Sequence, residues 1–162
     1  MPMGRMAWAA TSAGRGWALL CILTCAVYAN AIDNPFHYDD FHSIVENKRL
    51  RSLAEVPSFF VDPTAFSAEP QNAMYRPLLL ASFALNYALS GYETWSYHLL
   101  SLLLHLGCVG LVAAIGRVLL GPSRGAWWAA CLFAIHPINS ESLNYISSRS
   151  EIMAALFFLL AF

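Results

Sequence analysis

The chain has 162 residues, of which 58% are hydrophobic and 12% charged, with a mean hydropathy of +0.52 and a formal net charge of −1. A soluble domain carries about a quarter charged residues and just under half apolar ones. The composition therefore excludes an ordinary soluble domain and predicts an all-α integral membrane protein, a polytopic helix bundle. It also leaves no basic patch for nucleic acid.

The first apolar run, residues 17–32, is about sixteen residues long, near the lower limit of about seventeen for crossing a bilayer. Arg5 and Arg15 ahead of it resemble a signal peptide. No cleavage pattern leads into a soluble domain and further apolar runs follow, so an uncleaved first helix is expected. A long segment, residues 33–94, comes next. A second span covers residues 95–120 and ends at the turn Gly121-Pro-Ser-Arg124. A third covers residues 126–138, stopping at His136-Pro137 because a residue before proline is pushed out of the helical region. After the loop 139–151, a fourth run covers residues 152–162. Its eleven residues reach about 16 Å, half of a hydrocarbon core near 30 Å. This predicts a truncated last helix and a chain that is the N-terminal piece of a longer protein.

Charge predicts orientation. Arg5, Arg15, Arg117 and Arg124 lie in segments without acids, whereas all ten acidic residues fall in 33–94 and 139–151. The positive-inside rule then places the N-terminus in the cytoplasm and both acidic loops outside it. Within the large first loop, Ser52-Leu-Ala-Glu55 predicts a capping box opening a short helix that Pro57 halts. Pro77 predicts the first turn of another helix closed by Gly91. This second helix is too short to span and has a polar stripe at Ser82, Asn86 and Ser90, so it is expected at the interface or packed on the bundle. Ser148-x-x-Glu151 predicts a cap for the fourth span. Phe59-Phe60 and Trp127-Trp128 are expected as interfacial anchors. The cysteines, Cys21, Cys25, Cys108 and Cys131, lie in apolar runs without CxxC spacing and predict reduced packing residues.

Chemistry concentrates in Asn34-Pro-Phe-His-Tyr-Asp-Asp-Phe-His42, where Asp39 and Asp40 stand beside two histidines and three aromatics. Paired carboxylates beside a membrane can serve as base and metal ligand, or as base and orienting group. The alternative is one aspartate capping a short helix Phe41–Glu46 and the other solvated. Arg76, ahead of a proline-started helix, can bind a phosphate bidentately or snorkel to lipid headgroups. His98 lies near the outer end of the second span, within reach of substrate, and shares a face with Ser101 and the deeper His105, for which a structural hydrogen bond is expected. His136, Glu141, Arg149 and Glu151 form a polar group on the outer side. There Arg149 either neutralises a phosphate or pairs with Glu141 or Glu151.

The order of these pieces resembles a known family. Tyr38-Asp39-Asp40 follows the first helix, then come Tyr75-Arg76-Pro-Leu78, Leu85-Asn-Tyr-Ala-Leu89, Tyr97-His98-Leu99, Phe133-Ala-Ile-His-Pro137 with Glu141, and Ser148-Arg149. This pattern is similar to the N-terminal membrane part of the transmembrane-and-tetratricopeptide-repeat O-mannosyltransferases. The resemblance implies a GT-C fold, with an acidic catalytic motif in the first external loop. It implies transfer of a sugar, mannose or another hexose, from a polyprenyl-phosphate donor to a protein or glycan hydroxyl. Asp39 and Asp40 match the acidic motif, one as base and the other as its partner or a ligand of a divalent metal, whose requirement stays open. Arg76, His136 and Arg149 match polar positions around donor phosphate, and His98 and Glu141 complete the expected substrate-binding set. The wording of residues 60–66 leans toward bacterial relatives and hence a bacterial inner membrane, with the endoplasmic reticulum as the eukaryotic equivalent. A non-enzymatic polytopic anchor or transporter-like subunit is the alternative. A transporter, however, places ionisable groups near mid-membrane, and here the acids cluster outside.

Overall fold

The computed structural model of the protein describes residues 3–121 and 123–162, with side chains from residue 14 onward. Arg5 therefore lies outside the described side chains, and Pro122 of the predicted turn lies outside the described residues. Among the described residues seven α-helices are joined by short 3-10 and π turns: α1 (Met3–Val27), α2 (Val56–Phe59), α3 (Pro77–Ser90), α4 (Trp95–Leu120), α5 (Arg124–Ile135), α6 (Ser140–Asn144) and α7 (Arg149–Ala161). There is no strand among the described residues.

Helix α4 is the axis on which the others pack. Its 26 residues reach about 39 Å, and its best 18-residue stretch has a mean hydropathy of 2.2. Among the described residues it is the one helix long and apolar enough to cross a membrane by itself. Its bounds are those expected from sequence. The chain reverses at Gly121, which has φ +70°, a left-handed conformation that glycine adopts without a Cβ penalty, and α5 then returns along α4. A Cβ on Gly116 would lie 3.3 Å from Ala126 Cα, so the two backbones meet because neither side carries bulk there. His105 Nε2 contacts the Ala134 carbonyl at 3.0 Å, the structural role expected of it. Helix α7 packs on the other side of α4, where Leu156 lies against Gly107. Helix α1 meets α5 through Trp17 and Trp127, edge to face at 5.8 Å.

Several local expectations change. Helix α1 ends at Val27 and the chain continues as a 3-10 turn over Ala29–Asp33, so the helical run closes earlier than residue 32. Pro57 opens α2 instead of halting a helix, because its missing N–H falls in the first turn, where no intrahelical partner exists. Ser52 caps, but to the amide of Ala54 and without the reciprocal Glu55 bond. Helix α7 starts at Arg149, and Ser148 makes no side-chain cap; Glu151 instead accepts from the Ser142 hydroxyl at 3.0 Å. Phe59 is buried in the core and anchors no interface, while Phe60 is part exposed.

The first loop is folded, not slack. Ile44, Leu50, Phe59, Phe66 and Ile146 close over Leu80 and Phe83 of α3 to form a core of their own. Asn47, buried among them, donates to the Ala65 carbonyl at 2.8 Å and accepts from the Arg49 amide. Helix α3 runs from Pro77 to a Gly91 cap at φ +59°, as its punctuation predicts. It packs on the bundle through Leu79, Leu80, Phe83 and Ala84.

Candidate active site

The loops 33–94 and 139–151 are stitched together at one end of the molecule. Asn34 and Asn30 both donate to the Asn144 side chain at 2.9 Å, and the Asp39 amide donates to the Tyr145 hydroxyl at 3.0 Å. His98 lies between the loops, with Nδ1 and Nε2 each 3.1 Å from a backbone carbonyl, those of Leu143 and Asn34. Its ring is buried. Its two ring nitrogens tie the loops together, which is where the structure places the residue expected from sequence to reach substrate.

The tandem aspartates part company. Tyr38 adopts φ +41°, the one non-glycine residue in the left-handed region among the described residues. Such a conformation costs on the order of 1–3 kcal/mol and persists only where its surroundings hold it. Here the turn closes with the Asp40 amide donating to the His37 carbonyl at 2.8 Å. Beyond the turn, Asp40 points inward and is fully buried. One of its oxygens accepts from the Ser147 amide at 2.8 Å and from the Ser147 hydroxyl; the other accepts from the His37 amide at 2.9 Å. Burial pushes the Asp40 carboxyl above its ordinary range, outweighing the bonds from Ser147 and His37 that pull it down. Asp39 points outward with its side chain 67% exposed, and one of its oxygens lies 3.6 Å from His42 Nε2.

Asp39 borders a polar cavity of about 280 Å³, shared with His42, Arg76, Tyr145 and Glu151. Arg76 is the residue before α3; its guanidinium donates to Ser150 at 3.2 Å and lies over the Phe66 ring at 5.6 Å. Arg76, Ser150 and Glu151 also line a second cavity of about 500 Å³, whose other walls are Leu78, Met153 and Phe157 of α3 and α7. A polar chamber and an apolar groove thus meet at one arginine.

The remaining expected residues lie elsewhere. Arg149 pairs with neither Glu141 nor Glu151 among the described residues. It is fully buried, with Nε on Ser101 at 3.1 Å, one terminal nitrogen on Ser82 and Asn86 at 2.8 Å each, and the other on the Tyr97 carbonyl at 2.8 Å. Phe83 stacks beneath it at 4.9 Å. Ser82 and Asn86 of the polar stripe of α3 therefore hold this cation, while Ser90 bonds to Ser96. His136 is exposed at the end of α5, its Nδ1 accepting from the Ile138 amide. Glu141 lines a separate cavity with His37, Tyr38 and Tyr145. Of the seven expected residues, the chamber brings together Asp39 and Arg76. The chamber adds His42, which stood beside the aspartates in the sequence, Glu151, which belonged to the outer polar group, and Tyr145 and Ser150, for which the sequence carried no signal.

A divalent metal does not fit the pair. Both Asp40 oxygens are occupied by donors and the residue is fully buried, and no group of three His, Cys, Asp or Glu residues converges among the described residues.

Comparison with known proteins identifies relatives. Over 144 residues the chain is 38% identical to human protein O-mannosyl-transferase TMTC2, covering 86% of the chain and 17% of that protein. The mouse protein O-mannosyl-transferase TMTC3 is 34% identical over 147 residues, covering 89% and 16%, and human TMTC4 is 31% identical over 165 residues, covering 90% and 22%. These proteins are its homologues. The chain spans about a sixth to a fifth of the length of these relatives. No family model matches the chain, and no solved structure matches it.

Proposed function

We propose that the chain is the N-terminal part of a GT-C-type membrane O-mannosyltransferase, a polytopic bundle whose joined loops face away from the cytoplasm. The enzyme moves a mannosyl group from a polyprenyl-phosphate donor to a protein or glycan hydroxyl. The observation that carries this reading is the meeting of a polar chamber and an apolar groove at Arg76. A lipid-linked sugar has the same division, with the phosphate at the junction between sugar and chain. Arg76 offers the planar fork that suits a phosphate, the walls of Leu78, Met153 and Phe157 suit the first isoprene units, and Asp39 stands free on the sugar side. The names of the relatives support the sugar and the protein acceptor. The relatives named are animal proteins, and they lend no support to the bacterial origin expected from residues 60–66.

In this reading Asp39 is the base, removing the proton of the acceptor hydroxyl as that oxygen attacks the sugar carbon, while Arg76 stabilises the departing phosphate. Asp40 positions the loop. The test uses the full-length protein in membranes with a labelled polyprenyl-phosphate mannose. Replacing Arg76→Ala is expected to raise the donor KM by about 10-fold or more, the scale of a lost charge-assisted bond, with normal protein levels. An unchanged donor KM contradicts the placement of the phosphate.

A further inference from the structure

His42 has no assigned role, yet both of its ring nitrogens are engaged, one of them with Asp39 in the chamber. Nε2 faces Asp39 at 3.6 Å, and Nδ1 lies 3.0 Å from Ser67 Oγ. Ser67 is itself fixed: its Oγ accepts the Glu69 amide at 2.9 Å, and the neighbouring Ala68 amide donates to the His42 carbonyl at 2.9 Å. After accepting from Glu69, Ser67 Oγ retains a lone pair that can take Nδ1–H. That tautomer leaves Nε2 bare toward Asp39. The Phe66 ring backs the imidazole at 6.5 Å.

We propose that Asp39, His42 and Ser67 form a proton relay, in which His42 receives the proton that Asp39 abstracts. The proposal rests on Asp39 being the base. The acceptor O–H bond breaks as the oxygen bonds to the sugar carbon, the carbon–phosphate oxygen bond breaks, and the phosphate leaves with the electron pair. The proton goes first to Asp39 and then to His42 Nε2, with Nδ1–H held by Ser67, and water in the open chamber finally takes it. Asp39 returns to its carboxylate form before the next acceptor arrives. The other charged or titratable groups facing this chamber are Arg76, Tyr145 and Glu151. None of them approaches Asp39 as an ion pair among the described residues, where the two charge contacts are Asp39–His42 and Arg49–Asp62.

The experiment compares His42→Ala, Ser67→Ala and Asp39→Asn in the full-length membrane protein, with and without added imidazole. His42→Ala is expected to lower turnover about 100-fold, the lower end of lost proton-transfer assistance, with donor and acceptor KM within about twofold. Imidazole, which can enter the emptied position, restores part of that turnover in His42→Ala and none in Asp39→Asn. Unchanged turnover in His42→Ala, or a loss that imidazole does not repair, overturns the relay. If His42→Ala fails to accumulate, Ser67→Ala decides, because it frees Nδ1 without touching the chamber floor: lower turnover at unchanged KM supports the relay, and wild-type turnover overturns it. Full transfer by Asp39→Asn overturns the base assignment itself, a result distinct from any failure of His42.

Discussion

At the scale of single residues, two identical side chains one position apart have opposite environments. Asp40 is buried with three hydrogen bonds, and Asp39 stands in an open chamber. Removing the Asp40 carboxylate would leave the His37 and Ser147 donors without partners in the interior, and each unsatisfied buried donor costs about 1–3 kcal/mol. Asp40→Ala is therefore expected to lower the unfolding midpoint of the purified protein markedly, while Asp39→Asn leaves it in place. The pH dependence has a definite sign. Because the Asp40 carboxyl is raised above its unfolded value, the folded state binds the proton more tightly. Its contribution is present at pH below the ordinary carboxylate range and is lost as pH rises through the raised value. A wild-type midpoint that falls over that interval more steeply than that of Asp40→Asn would bear this out; parallel curves would refute it.

At the scale of elements, Arg149 fastens the start of α7 to α3 and α4 with four hydrogen-bonding partners and an aromatic face. Its named partners are all neutral, so the charge is stabilised by dipoles and the Phe83 ring. Lysine carries the charge but cannot reproduce the fork that reaches Ser82, Asn86, Ser101 and the Tyr97 carbonyl together. Arg149→Lys is expected to destabilise the fold by about 3 kcal/mol, as breaking buried charge networks does, read from unfolding of the purified protein. A loss below about 1 kcal/mol would contradict the fastening role. The role was not legible in the sequence, because the partners lie 48 to 67 residues away along the chain. The elements themselves were more legible. Pro77 and Gly91 bracket α3 and the apolar run from Trp95 to Leu120 matches α4, because punctuation and hydropathy act locally. The Ser82–Asn86–Ser90 stripe was visible as well, and packing on the bundle was one of the two places expected for it, but not that Ser82 and Asn86 hold Arg149. Likewise the tandem acids were visible, while their opposite environments depend on Tyr38 turning to positive φ and on Ser147, which lies 107 residues from Asp40.

At the scale of the molecule, the two acid-bearing loops close on one another at one end of α4, and α4 supplies the length that reaches the other. The proposed enzyme uses that polarity. In the proposed function the apolar groove between α3 and α7 is the place for the lipid, the adjoining chamber the place for the sugar, and Asp39 the group that meets the acceptor. One measurement tests this most directly. Membranes containing the full-length protein are given a labelled polyprenyl-phosphate mannose, and label is followed into protein or glycan for wild type, Asp39→Asn and Asp40→Asn at matched protein levels. The account predicts transfer by wild type, a loss of about 100-fold or more in Asp39→Asn with a normal unfolding midpoint, as removal of a general base does, and in Asp40→Asn a loss that tracks reduced stability. Transfer by Asp39→Asn at the wild-type rate would contradict it.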